Sequence, residues 1–278
     1  MEVVLGSGSL EATIAPTAAM LVTSLRHHGE ELLGQRADAS TFVHAGKTTG
    51  SPLLYPWANR LSKARFELDG KAVDASAARQ DGFGSPMHGL PEARHGWVVE
   101  EQRHDLVSAT KTWDDPSFPF PHELRVEHHL TPDALTTTTE VYGDVPVAFG
   151  WHPFLQLPGE PREQWRVEIG AATTLELDDH MLPTGGRHPR ERGATTLGDS
   201  AHDEALADVD GPFVLQGANR RITVTFLEGA PYAQFFAPLA EPLVAFEPMA
   251  APGNALVTGD ALERAPWRMR FRIQVTTP

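Results

Sequence analysis

Glycine and proline, 24 and 23 of the 278 residues and scattered along the chain, leave few stretches in which a long helix could run. The segments between them are short and β-like. Ala64-Arg65-Phe66-Glu67-Leu68 precedes the turn Asp69-Gly70, and Leu124 to Leu130 and Ala134 to Val141 follow in the middle of the chain. Arg221 to Phe226 and Met269 to Val275 complete the set, and residues 222–226 and 269–275 show the clearest period-two alternation. Alternation of that kind marks strands with one buried face. The threonine run 136–139 is β-branched and fits a strand whose other face is wet. Many short strands between turn signals predict an all-β sandwich or barrel.

At 278 residues the chain exceeds the usual domain, but all-β units often reach this size, and 1–278 is expected to form one domain. Its hydrophobic fraction of 41% is enough for a sizeable core. The most polar stretch, 178–211, is expected to be a long excursion from that core. A net charge of −14 speaks against nucleic acid and anionic lipid, which require a basic surface. The lack of cysteine removes disulfides, thiolate catalysis and cysteine-held metal. Met1-Glu2-Val3-Val4-Leu5-Gly6 carries no basic stretch followed by an apolar run, and no window reaches the length of a membrane helix. A cytoplasmic protein, monomeric or homodimeric, is therefore expected.

Three segments set one ionisable side chain among apolar residues, prolines and glycines: Ser85-Pro86-Met87-His88-Gly89-Leu90, Phe149-Gly150-Trp151-His152-Pro153-Phe154, and Val244-Ala245-Phe246-Glu247-Pro248-Met249. Each is read as a strand end whose turn aims the side chain into a concave surface. Glu247 is the most telling, since a carboxylate among apolar neighbours is costly to bury without a purpose. A fourth segment, Tyr55-Pro56-Trp57-Ala58-Asn59-Arg60-Leu61, offers the planar donor fork of Arg60.

Taken in order, Asn59-Arg60, His88-Gly89, His152-Pro153-Phe154 and Glu247-Pro248-Met249 resemble the aldose 1-epimerase (galactose mutarotase-like) family. Phe66 to Lys71 and Leu182-Pro183-Thr184-Gly185 are similar to further family segments, so the resemblance spans about residues 50 to 275. It implies a large antiparallel β-supersandwich and mutarotation of a free hexose such as glucose or galactose, without cofactor or metal. By that resemblance Glu247 is the general base and His152 the general acid. His88, Arg60 and Asn59 would bind or position the sugar. The family's mid-chain aspartate aligns with Asp203, or with Asp208 if the alignment slips, because Leu206 stands where the family has an aromatic residue. A carboxylate neighbour is expected to raise the pKa of His152.

The His152-Pro153-Phe154-Leu155 box departs modestly from the family's His-Pro-Tyr-Phe, and its proline fits the free-sugar branch better than the hexose-6-phosphate epimerases. Arg94 could serve a phosphate, so phosphorylated sugars stay open as substrates. Two rivals come from other classes. One is a metal site of His88, His152 and Glu247, although no short ligand spacing such as His-X-His supports it. The other is a non-catalytic sugar-binding protein using Trp57, Trp151 and Trp267 as stacking platforms, which would need neither an acid nor a base at C1.

Overall fold

Each β-like segment forms a strand in the computed structural model, which describes residues 2–277. They become Arg65–Leu68, His122–Leu130, Ala134–Gly143, Arg221–Glu228 and Trp267–Thr276. Two large sheets dominate. One has nine strands, and at its centre Arg221–Glu228, Trp267–Thr276, Ala134–Gly143 and His122–Leu130 lie side by side. The other has eight strands, and its central path runs through His202–Asp210, Tyr232–Ala237, Val244–Met249 and Gly150–Trp151. The pairings within these central regions are antiparallel.

The inner faces of the two sheets meet in the core. Phe246 of the eight-stranded sheet packs against Phe213 of the nine-stranded one, with ring centres 5.5 Å apart, and Trp151 packs against Phe271 at 6.0 Å. All four are essentially inaccessible to water, and each ring contributes about 2 kcal/mol of transfer free energy. The architecture is a large antiparallel β-supersandwich. A four-stranded sheet from Val3–Ser7 to Glu30–Glu31 joins the same core through Leu5, Ile14 and Leu25.

One expectation is met and another corrected. The threonine strand has the wet face expected of it: Thr136 and Glu140 are half-buried and Tyr142 on the same face is exposed, while Thr137 and Thr139 face the core. Two of the hydroxyls find partners there, Thr137 with the His128 ring and Thr139 as acceptor for the Trp151 indole N–H. Residues 178–211 are not an excursion. They supply strands Pro183–Arg190, Gly193–Thr196 and His202–Asp210, of which the first two are outermost in their sheets and largely exposed. Outermost strands held by backbone pairing, with no core face, carry no hydrophobic alternation to read.

Helices are few. Ala39–Ala45 is opened by Asp38, whose carboxylate accepts the Thr41 N–H at 2.6 Å, and closed by Gly46 in the left-handed conformation. No helix among the described residues is long and apolar enough to cross a membrane.

Candidate active site

Strand alternation builds a pocket on the outer face of the eight-stranded sheet. Phe246 points into the core, so Glu247, the next residue, points out. In the same way Trp151 is a core residue and His152, immediately past its strand, faces outward. Across the sheet Gln234 pairs in register with Glu247, and Asp203 pairs with Phe236. These side chains, with Asn59, Arg60 and His88, line a cavity of about 280 Å³. Glu247 lies inside its strand rather than at a strand end, which corrects the sequence reading. The bond from His152 N–H to the Pro52 carbonyl, at 3.1 Å, fixes where the neighbouring chain turns away.

The structure brings Glu247 and His152 together: Oε1 lies 3.2 Å from Nε2, and both side chains are almost wholly buried. His88 stands edge-on to the His152 ring, with centres 5.5 Å apart. His88 and Asn59 both adopt left-handed backbone, with φ of 62° and 61°. They hold each other there, since the His88 N–H bonds to the Asn59 carbonyl at 3.0 Å while the Asn59 N–H bonds to His88 Nδ1 at 3.3 Å. The neutral His88 ring therefore carries its proton on Nε2. Such strain away from glycine tends to mark functional segments. Gly89 (φ +85°) allows the arrangement, because a Cβ there would fall 1.9 Å from the Tyr55 carbonyl oxygen.

A hydrogen-bonded chain runs beneath the pocket. Asp81 accepts from Arg60 Nε at 2.7 Å, Arg60 Nη1 donates to Asn59 Oδ1 at 3.0 Å, and Asn59 Nδ2 donates to Gln234 Oε1 at 3.1 Å. Gln234 Nε2 then donates to Asp203 Oδ1 at 2.5 Å. Gln234 and Asp81 were missed in the sequence. Gln234 had one faint signal, a lone amide within the apolar run Tyr232 to Ala237. Asp81, in a polar turn that it closes by accepting the Phe83 and Ser85 N–H groups, had none.

The electrostatics reverse one expectation. Burial holds the His152 imidazole well below the usual histidine range, and His88 and Arg36 push the same way. The carboxylate neighbour does not raise it. Burial also pushes Glu247 well above the carboxylate range, helped by Asp203 and opposed by Arg60. Desolvation penalises both charged forms, so the pair rests neutral with one proton on the carboxyl side. Burial, and then Arg60 and Arg79, lower His88 to about 3, and burial raises Asp203.

Other candidates lie elsewhere. Asp208 is exposed and pairs with Arg187 at 3.3 Å, so of the two aspartates only Asp203 lines the pocket. Arg94 is buried beside the helix Ala39–Ala45 and donates to the Val43 carbonyl at 3.2 Å, which makes it a helix-end residue rather than an anion site. Trp57 and Trp151 are core residues, and Trp267 packs against the core with its indole N–H on the Gly229 carbonyl. None of the three offers the pocket a stacking platform. Among the described residues no group of three His, Asp or Glu side chains is arranged to hold a metal ion.

The aldose 1-epimerase family model matches residues 1–259. Among solved structures, a galactose mutarotase-like protein from Clostridium acetobutylicum superimposes with a TM-score of 0.84 at 17% identity, over 99% of this chain and 94% of the other. A GalM/aldose epimerase homologue from C. elegans gives 0.82 at 16% identity, over 100% and 99%. Galactose 1-epimerase from Lactobacillus acidophilus gives 0.77 at 14%, over 98% and 92%. At these identities the likeness is one of fold. No curated protein matches the chain by sequence.

Proposed function

The chain belongs to the aldose 1-epimerase family, and from that premise we propose that it interconverts the α and β anomers of an aldose by general acid–base catalysis. The observation that carries the reading is the 3.2 Å contact between Glu247 and His152, buried in a cavity of hexose dimensions. Glu247 takes the proton of the C1 hydroxyl as the C1–O5 bond breaks and C1 becomes an aldehyde carbon. His152 gives its proton to O5. Rotation about C1–C2 and the reverse steps close the ring with the other configuration. No covalent intermediate and no cofactor enters these steps.

The proton inventory suits this chemistry. The resting pair holds one proton, and the reacting arrangement, ionised Glu247 with protonated His152, holds the same number. Substrate binding has to move that proton across the pair, not recruit it from solvent. His88, as the Nε2–H tautomer, donates to the sugar near its ring oxygen. Arg60, braced by Asp81 and Asn59, binds ring hydroxyls, and Asp203, held by Gln234, accepts from another.

Polarimetry of freshly dissolved α-D-glucose and α-D-galactose tests the reading. Rotation should decay faster than in buffer with the wild type, and at close to the buffer rate with Glu247→Gln. If the wild type decays no faster than buffer with either sugar, the free-hexose assignment fails.

A further inference from the structure

Two turns far apart in the chain, Asp81 to Ser85 and Asp178 to Leu182, are built alike. In each, the aspartate N–H bonds to the fifth residue's carbonyl, at 3.0 and 2.9 Å, and the fourth N–H bonds back to the aspartate carbonyl, at 3.2 and 2.9 Å. Oδ1 of each aspartate accepts the third and fifth N–H groups, with distances of 2.8 to 2.9 Å. The fourth residue is left-handed in both, with φ of 81° at Gly84 and 62° at Met181. The third residue, Phe83 in one turn and His180 in the other, stands exposed at the tip. The two tips meet, and their rings stack with centres 5.3 Å apart and planes 9° from parallel.

The turns differ in the second carboxylate oxygen. Asp81 Oδ2 holds Arg60 Nε at 2.7 Å in the pocket, whereas Asp178 is exposed. The second turn joins strands Ala171–Leu177 and Pro183–Arg190, with Leu182-Pro183-Thr184-Gly185 leading out of it. Its tip reaches the groups that hold Arg60 from two directions. Through the stacked rings it bears on the Asp81 turn. Through Pro183 it bears on Gly253, where a Cβ would lie 3.8 Å from Pro183 Cδ and 3.6 Å from Asn59 Cβ. The next residue, Asn254, donates its N–H to the Arg60 carbonyl at 2.8 Å. Phe83 remains 54% exposed in the stack, so the contact buries little, and Met181 holds a backbone that glycine would adopt more readily. Its consequence lies at the other end of the Asp81 carboxylate.

We infer that Phe83 and His180 are positioning residues: their stack locks the Asp81 turn, and Asp81 in turn sets the angle at which Arg60 presents its guanidinium to the sugar. The inference rests on the reading of Arg60 as a group that binds ring hydroxyls in the acid–base pocket. A guanidinium donates in one plane, so tilting it misaligns its bonds even where its charge stays put. Arg60 holds the sugar in the ground state and the transition state alike, so loosening it raises KM and spares kcat.

The test follows anomer exchange of D-glucose and D-galactose by NMR, above the buffer rate. His180→Ala and Phe83→Ala should each raise KM by about three- to tenfold, the worth of one aromatic pair, with kcat within about twofold of wild type. The double variant should be no worse than either single one. His180→Phe keeps the stack without the imidazole and should restore the wild-type KM. In an Arg60→Gln background His180→Ala should change KM no further, because the residue it acts through is gone. An unchanged KM, a fall in kcat in its place, no rescue by phenylalanine, or an equal effect with and without Arg60 overturns the inference. A second readout needs no turnover. The Arg60 Nε–H resonance, assigned by its loss in Arg60→Gln, should exchange with water faster in His180→Ala and recover in His180→Phe. If no sugar is turned over, the acid–base reading fails and this rate decides: faster exchange supports the positioning role, and unchanged exchange overturns it.

Discussion

Two pairs of histidines sit in dry surroundings, His122 and His128 between the two sheets and His88 and His152 in the pocket outside the eight-stranded sheet, and their ring nitrogens are treated differently. In His122–Leu130, both rings are satisfied. His128 Nε2 donates to the Met20 carbonyl at 2.8 Å and Nδ1 accepts from the Thr137 hydroxyl at 3.0 Å, while His122 spans the Phe120 carbonyl and the Tyr55 hydroxyl. In the pocket, His152 Nδ1 has no partner among the described residues, and Nε2 faces only the Glu247 carboxyl. All four rings are pushed below the ordinary histidine value by burial, to about 4 for His122 and His128. A depressed pKa therefore does not separate a structural histidine from a chemical one. Unfilled hydrogen-bonding capacity next to an acid does.

The strongest way to break that distinction is to remove either member of the Glu247–His152 couple. Glu247→Gln and His152→Gln should each slow mutarotation by about 10²–10⁴ and leave the circular dichroism spectrum unchanged. A variant that kept its rate in polarimetry would make the Glu247–His152 couple as structural as His122 and His128. The opposite change, His128→Leu, strands the Thr137 hydroxyl and the Met20 carbonyl. It should cost about 1–3 kcal/mol in urea unfolding, with the rate per folded molecule retained.

The pairs should also part under acid. His122 and His128 titrate lower when folded than unfolded, so the unfolded chain takes up protons first. The stability they contribute is complete above the ordinary value of 6.5 and is lost as pH falls from there toward 4. The Glu247–His152 couple behaves otherwise. Between 4.5 and 6.5 the unfolded chain holds one proton on histidine, and the folded pair holds one on its carboxyl side. The counts are equal and the pair adds no slope. Unfolding free energy measured across this window should fall toward acid less steeply in His128→Gln. It should fall more steeply in Glu247→Gln, which leaves His152 neutral only in the folded state. Equal slopes in all three proteins would refute the proton count. The smallest contrast concerns the aspartates: Asp203→Asn should lower kcat/KM by about tenfold, and exposed Asp208→Asn should leave it unchanged.

Much of this was legible because function here is written in adjacent residues. Gly150-Trp151-His152 and Phe246-Glu247 each couple a core aromatic to a titratable neighbour, and the spaced order of Asn59-Arg60, His88-Gly89, His152-Pro153 and Glu247-Pro248 carried the family resemblance. Alternation exposed the half-buried strands, but it is silent where neither face is covered, as for Pro183–Arg190. Gln234 and Asp81 act through contacts with residues far away in the chain, Asp203, Asn59 and Arg60, and no local pattern encodes such meetings. Arg94 shows the converse. The sequence offered it to a phosphate, and in the fold it donates to the Val43 backbone carbonyl instead.

The alternation at Trp151–His152 and Phe246–Glu247 also makes the molecule's tolerance of change uneven. A one-residue insertion or deletion just ahead of either pair, absorbed by a register slip, would turn an indole or phenyl ring to water and drive an imidazole or carboxyl into the core. Loss of the reaction and loss of the folded state would then arrive together, from one lesion. Deep mutational libraries that include single-codon deletions should therefore show sharp troughs at these two positions for abundance as well as for turnover. Substitutions at 152 and 247 should lower turnover alone.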